Sequence, residues 1–326
     1  MNRSAIGRCL LAGLSLFILV ASLGDSVGQG ADPPVASPLP RQPLVAGDHL
    51  REMTVDRWTR KYMVHVPPQY DPARPTPVVL ALHGAAMTGP MMAWFCGMNK
   101  KSDAAGFIVV YPSGTGQGPL LTWNAGGLSG PLAAGRPDDV AFIRALLTEL
   151  ETLLNVDRRR VYTCGLSNGA MMCYRLAAEL SDRIAAIAPV AGTVAMEKME
   201  PGRPVPVLHL HGTRDELVPY TMTPKTAPPF VRFKGVEESI RIWVEINGCQ
   251  PPLAKETLSQ AGDELTVTRT RYPNGKQGTE VQLIVIEGGG HTWPGQKPPV
   301  AFLGKSAMNI SANDLIWEFF EQHPLP

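Results

Sequence analysis

Charge of either sign is scarce in this sequence: Asp, Glu, Lys and Arg make up 18% of its 326 residues, and the formal net charge is +1. Without a basic excess or clustered Lys and Arg there is no electrostatic footprint for nucleic acid or an acidic polymer, so a neutral or weakly polar substrate is the better match. Cysteine is sparse too, and the spacing of the five present resembles no metal site. No internal repeat and no second domain are visible, which excludes a repeat architecture. The most apolar stretch, Cys9 to Leu23, is shorter than the roughly 20 residues that a membrane-spanning helix needs.

What is present begins with that stretch. Two positive charges, Arg3 and Arg8, precede it, and small and turn-forming residues follow it, the layout of a secretory signal peptide rather than of an anchor. No Cys follows Ala21 to Gly24, which argues against a lipoprotein, and cleavage is expected between Gly24 and Ala31. The expected address is therefore extracellular or periplasmic, without stable membrane insertion once residues 1–31 are removed. That removal leaves acidic and basic side chains equal in number. It also leaves Cys96, Cys164, Cys173 and Cys249 in a compartment that permits disulfides. Cys164 and Cys173 fall in a strand and a helix, where buried free thiols are expected. One disulfide of open connectivity remains an option.

Residues 32–44, rich in proline, read as an extended linker, and the folded domain is expected over 45–326. There, runs of β type alternate with helical patterns. The strands are expected at Lys61 to Val66, Thr76 to Leu82, Phe107 to Tyr111, Arg160 to Cys164, Ile184 to Val190, Val205 to His211 and Val281 to Ile286. Several lack polar alternation, as strands buried on both faces do. Asp138 to Leu154 places Val140, Ile143, Leu147, Leu150 and Leu154 on one helical face, with Asp138 and Asp139 favourable at its start. Asn168 to Leu180, Val236 to Ile246 and Ser311 to Glu321 are the other helices. The alternation predicts an α/β fold, a mostly parallel central sheet with helices on both faces.

Three motifs carry chemistry, each at the end of an expected strand. Gly165-Leu166-Ser167-Asn168-Gly169 lies between a strand and a helix, the context of a G-x-S-x-G elbow. Its glycines suit a turn so tight that flanking side chains would collide with neighbouring backbone. A Ser hydroxyl is a poor nucleophile unless a base takes its proton, and the base needs a carboxylate to fix its tautomer. His211-Gly212-Thr213-Arg214-Asp215 offers that carboxylate, with Glu216 as the near alternative, and Gly288-Gly289-Gly290-His291 offers the base on a run read as flexible. The order Ser167, Asp215, His291 is that of α/β-hydrolases. An oxyanion hole is expected from the amides of Asn168 and Ala85, with Ala86 as the alternative to Ala85.

Packing and backbone hydrogen bonds account for His83, His209 and His211, and strand alternation explains the spacing of the last two better than a zinc pair does. Trp317 is assigned to the core. Trp123 and Trp293 stand in Gly-rich surroundings that suggest loops, and both are expected to line the substrate pocket.

Taken together, Leu82-His83-Gly84-Ala85, Gly106 to Pro112, Trp123-Asn124-Ala125-Gly126, Asp138-Asp139-Val140, the elbow, His211 to Asp215 and Gly289-Gly290-His291-Thr292-Trp293-Pro294-Gly295 resemble the polyhydroxybutyrate depolymerase and feruloyl esterase family. The similarity runs from about residue 50 to the C-terminus. It implies an α/β-hydrolase fold, the same triad and oxyanion hole, and no cofactor or metal. Relatives often carry Cys at the position of Ala85 and a Cys pair near Leu128 and Ser129. Their absence argues against a family-type disulfide to Cys249. The expected activity is hydrolysis of carboxylic esters: hydroxyalkanoate oligomers, or feruloyl or acetyl esters of polysaccharide. A non-catalytic binding module on the same fold and a serine peptidase are the alternatives. The complete, ordered Ser, Asp and His set argues against the first, and the lack of a propeller or lid-sized insertion against the second.

Overall fold

In the computed structural model, residues 43–127, 135–221 and 233–326 are described. The expected signal peptide and most of the linker lie outside them. The domain begins slightly earlier than expected, because Leu44 is already buried and its N–H donates to the Leu153 carbonyl at 3.1 Å.

A hairpin of β1 (Gly47–Val55) and β2 (Trp58–Val66) leads to β3 (Thr76–Leu82), α1 (Gly89–Cys96), α2 (Met98–Ala105) and β4 (Ile108–Pro112). A small hairpin of β5 (Thr115–Gln117) and β6 (Leu120–Thr122) precedes α3 (Asp139–Leu153). Then come β7 (Val156–Leu166), α4 (Asn168–Glu179), β8 (Ile187–Val190), β9 (Val207–Gly212) and α5 (Val236–Asn247). The chain closes with β10 (Glu256–Thr257), β11 (Val267–Tyr272), β12 (Val281–Ile286) and α6 (Ala312–Glu321).

All but β5 and β6 join one sheet in the order β1-β2-β4-β3-β7-β8-β9-β12-β11-β10. The six central strands, β4 to β12 in that order, run parallel, and the antiparallel pairs are at the two edges. The uniformly apolar strands follow from two-sided burial. Val78, Leu80 and Leu82 of β3 face α3, α4 and α5, while Val79 and Ala81 face α1, α2 and α6. The chain steps outward from β3 to β4 and then crosses back to β7, so the sheet's direction of growth reverses between β3 and β7. Open α/β sheets bind ligands at such a switch point, beyond the carboxyl ends of the strands.

Asp138 caps α3 as expected, accepting from the N–H groups of Val140 at 2.9 Å and Ala141 at 3.1 Å. Asp139 does something else: it is buried against Arg60 of β2. The four cysteines are all free, so no disulfide forms among the described residues. Burial pushes the Cys96 and Cys173 thiols up to about 12, which keeps them protonated and unreactive.

Candidate active site

Ser167 stands between β7 and α4 at φ 56° and ψ −117°, a left-handed backbone that a non-glycine residue adopts only under constraint. The constraint is steric. A Cβ on Gly165 would stand 2.7 Å from the Gly169 backbone, and one on Gly169 would stand 2.3 Å from the Leu82 carbonyl oxygen and 2.6 Å from that of His83. The elbow's glycines are therefore required for space, because β3 and α4 close in on the turn from both sides. The Ser167 N–H donates to the Val190 carbonyl at 2.9 Å, which ties the elbow to β8.

The loops after β8, β9 and β12 meet it at the carboxyl end of the sheet. A Cβ on Gly192 would stand 2.2 Å from the Ser167 carbonyl oxygen, Ala191 donates to the Leu210 carbonyl at 2.9 Å, and a Cβ on Gly212 would stand 2.3 Å from the Gly289 oxygen. In this convergence Asp215 meets His291: Nδ1 donates to Oδ2 at 2.7 Å, with both residues 4% exposed. Glu216 is exposed, so Asp215 is the carboxylate that reaches the imidazole. The other oxygen of Asp215, Oδ1, accepts the N–H groups of Leu217 at 2.9 Å and Val218 at 2.8 Å. Burial alone would raise the Asp215 carboxyl, but the His291 and His211 imidazoles outweigh it and hold it below the usual carboxylate range. With Nδ1 committed, Nε2 of His291 is the nitrogen able to take a proton, and Ser167, 6% exposed, stands at the same carboxyl end of the sheet.

The run before His291 is not flexible as expected. A Cβ on Gly290 would stand 2.1 Å from the Leu303 carbonyl oxygen, and one on Gly289 would stand 2.6 Å from the Ile286 side chain. Gly290 N–H donates to Lys305 at 2.9 Å and His291 N–H to Leu303 at 2.7 Å, so the glycines let the loop pack closely and fix the imidazole.

At β3, the Ala86 N–H is spent on the Leu121 carbonyl at 2.8 Å, whereas the Ala85 N–H has no acceptor among the described residues. The loop also lies against the elbow, since a Cβ on Gly84 would stand 3.5 Å from the Ser167 Cβ. Asn168, the first residue of α4, has an N–H with no intrahelical acceptor and sits at the positive end of the helix dipole. Two uncommitted amides thus flank the serine.

Trp123 and Trp293 do not line an opening as expected: each is 1% exposed. Trp123 donates its indole N–H to the His83 carbonyl at 3.0 Å, and its backbone is clamped by the Asn168 side chain, which accepts its N–H at 2.6 Å and donates to its carbonyl at 3.2 Å. Trp293 donates to Asn313 Oδ1 at 2.8 Å. Both indoles sit on loops, but those loops are packed, Trp123 against His83 and Asn168 and Trp293 against Asn313 of α6. His83 is bland as expected. Gly114 N–H donates to its Nε2 at 2.9 Å, its Nδ1–H donates to the Gly84 carbonyl at 2.7 Å, and burial pushes its pKa down to about 4. His209 and His211 have every ring nitrogen engaged: His209 meets the Tyr174 hydroxyl at 2.8 Å and His211 at 3.1 Å, and His211 also meets the Val218 carbonyl at 2.8 Å. No lone pair remains there for a zinc ion. Among the described residues, no group of three or more His, Cys, Asp or Glu side chains is arranged to hold a metal.

The ion pair under the Trp123 loop was missed from sequence. Arg60 donates to Asp139 at 2.6 Å with its guanidinium 3.9 Å from the Phe142 ring centroid, and the second Asp139 oxygen accepts Asn124 N–H at 2.6 Å. Nothing in the sequence singled it out, since Arg60 sits in β2 between Arg57 and Lys61 with no local partner.

Comparison with known proteins adds to the geometry. The Phospholipase/Carboxylesterase family model matches residues 138–241. The chain is 32% identical to NocK of Nocardia uniformis subsp. tsuyamanensis, a protein provisionally named an esterase, over 96% of this chain and 98% of that one. It is 31% identical to feruloyl esterase B of Piromyces equi over 71% of this chain, a match that spans 42% of that longer protein. The acetyl xylan esterase of Aspergillus awamori superposes with a TM-score of 0.59 over 84% of this chain and 99% of that one, at 18% identity, a likeness of fold alone.

Proposed function

The chain belongs to the esterase and feruloyl esterase family of α/β-hydrolases, and from that premise we propose that it hydrolyses carboxylic esters through an acyl-enzyme on Ser167. The observation that carries this reading is the buried 2.7 Å contact from His291 to Asp215 at the carboxyl end of the sheet, where Ser167 is held at φ 56°.

His291 Nε2 takes the Ser167 proton as Oγ attacks the ester carbonyl. The amides of Ala85 and Asn168 hold the oxyanion, and the α4 dipole favours the same charge. Collapse expels the alcohol, which receives the proton from His291. Water then adds to the acyl carbonyl with His291 again as base, and the acid leaves as Ser167 Oγ takes that proton back from His291. Asp215 stays ionised throughout and steadies the imidazolium. No step requires a metal or an organic cofactor.

The substrate is a small or polymeric ester. Feruloyl or acetyl esters of polysaccharide agree with the names of the relatives, and hydroxyalkanoate oligomers agree with the motif resemblance. Export follows from the N-terminal pattern, and no helix among the described residues is long and apolar enough to cross a membrane. Hydrolysis of methyl ferulate beside a 3-hydroxybutyrate trimer, with Ser167→Ala as the blank, tests the reading. Cleavage of either one above the blank supports it and names the acyl branch. Inertness toward both and toward short nitrophenyl esters would contradict it and favour a binding module.

A further inference from the structure

Behind Asp215, on the sheet face covered by α4 and α5, three buried polar side chains lie in series. Tyr174 of α4 meets Nδ1 of His209 at 2.8 Å, and His209 Nε2 meets His211 Nδ1 at 3.1 Å. His211 Nε2 then meets the Val218 carbonyl at 2.8 Å and stands 3.4 Å from Asp215 Oδ2. The two imidazoles stack at 5.3 Å between ring centroids with planes 9° apart.

The proton order in this series is forced from one end. Both neighbours of His211 Nε2, a carbonyl and a carboxylate, are acceptors, so Nε2 carries the proton. In the arrangement that completes the series, His211 Nδ1 accepts the Nε2–H of His209, whose Nδ1 in turn accepts the Tyr174 hydroxyl. Each donor then has one acceptor. Burial supports this: it pushes the Tyr174 phenol well above its ordinary range and, with His211 alongside, the His209 imidazole well below its own.

The far end of the chain closes a turn. Val218 donates its N–H to Asp215 Oδ1 and accepts His211 Nε2–H at its carbonyl, so one residue both closes the turn carrying the carboxylate and ties that turn to β9. We infer that Tyr174, His209 and His211 are positioning residues for the esterase reaction, a hydrogen-bonded chain of fixed proton order that holds the Asp215 turn and shares the charge on Oδ2 with His291. This inference rests on the assignment of Asp215 and His291 above. The groups facing the chain from the packed elements are Trp243 of α5 against Tyr174, Cys173 beside Tyr174 on α4, Tyr220 with its edge on His211, and Glu237, which accepts the Tyr220 hydroxyl.

Removing the His211 N–H leaves His291 as the one imidazole facing Oδ2. The carboxylate then holds the imidazolium more tightly, so the acidic limb of kcat/KM moves to higher pH. His211→Leu is expected to lower kcat on the order of 10- to 100-fold with KM little changed, and to raise that limb by roughly half a pH unit. His211→Gln keeps a donor near the position of Nε2 and should recover most of both effects. A role confined to packing would move neither the limb nor the Gln rescue.

The experiment pairs these variants and Ser167→Ala with nitrogen-15 histidine spectra of the unmutated protein. The spectra should show His209 as a neutral Nε2–H tautomer and His211 with a proton on Nε2. An Nδ1–H tautomer at His211 in the unmutated protein overturns the inference whether or not a variant folds, and so does a His211→Leu profile identical to wild type. An active Ser167→Ala overturns the esterase assignment instead, so the two failures are distinguishable.

Discussion

Ser167 shows how much of the proposed chemistry depends on single atoms. Its left-handed backbone is imposed by neighbours that leave no space for a Cβ at 165 or 169, and Ser167→Ala fits that backbone as well as serine does. Ser167→Ala is therefore expected to lose on the order of 10⁴-fold or more in kcat while its melting temperature stays within a few degrees of wild type. Retention of a tenth of the activity would remove Ser167 from the mechanism. Gly169→Ala is expected to behave in the opposite way. Its Cβ would stand 2.3 Å from the Leu82 carbonyl oxygen, so α4 must shift away from β3, at a cost of about 1–3 kcal/mol or more. Urea denaturation should show that loss together with lost activity, and an unchanged midpoint would mean the elbow is looser than its contacts indicate. At this scale the sequence was most informative, because Ser167, Asp215 and His291 each sit in a short motif whose spacing is local. Trp123 and Trp293 were misplaced because glycine-rich flanks indicate a loop but not what packs on it.

At the scale of elements, the link from β2 to α3 connects packing to the candidate site. Arg60 reaches Asp139 from a neighbouring strand, and the same carboxylate holds Asn124, next to Trp123, which Asn168 clamps to the elbow. Arg60→Leu would strand the Asp139 carboxylate in the core, and a loss of about 3–5 kcal/mol is expected from chemical denaturation. Replacing both partners with apolar residues of similar volume should recover much of that loss, because the uncompensated charge is gone. If Arg60→Leu alone proves neutral, the pair is not holding this layer. The elements that sequence reading placed well, such as β3, β12, α4 and α5, have continuous apolar runs or one clear helical face. It missed β1, whose residues are mostly exposed, and α2, whose polar sequence leaves only Met98 and Ser102 buried. It also missed α1, whose unbroken apolar sequence gives no helical period. The pairing of Arg60 with Asp139 was illegible for a different reason: the two are 79 residues apart, and only the fold brings β2 against α3.

For the whole molecule, the buried titratable groups set the dependence of stability on pH. His83 has its pKa pushed from 6.5 to about 4 by burial, so between those values the unfolded chain binds a proton that the folded one does not. Stability is then full above about pH 6.5 and falls as pH drops toward 4, by about 3 kcal/mol from His83 alone, with His209 shifted in the same direction. Asp215, held below the ordinary carboxylate range, adds a further loss only at lower pH, as its own proton binds. Urea midpoints measured from pH 7.5 to 4.5 should fall steadily; a flat profile would mean that these imidazoles are hydrated in solution. Sequence alone gave the sheet's parallel character and the order of the motifs, whereas the strand order that sets β3 beside β7 came only from the fold. The central claim, that one serine at that switch point is the nucleophile, is tested most directly by treating the folded protein with a fluorophosphonate and locating the adduct by peptide mass spectrometry. The account predicts a single adduct on Ser167 that is lost in His291→Ala. An unlabelled protein, or an adduct on a different serine, would contradict it.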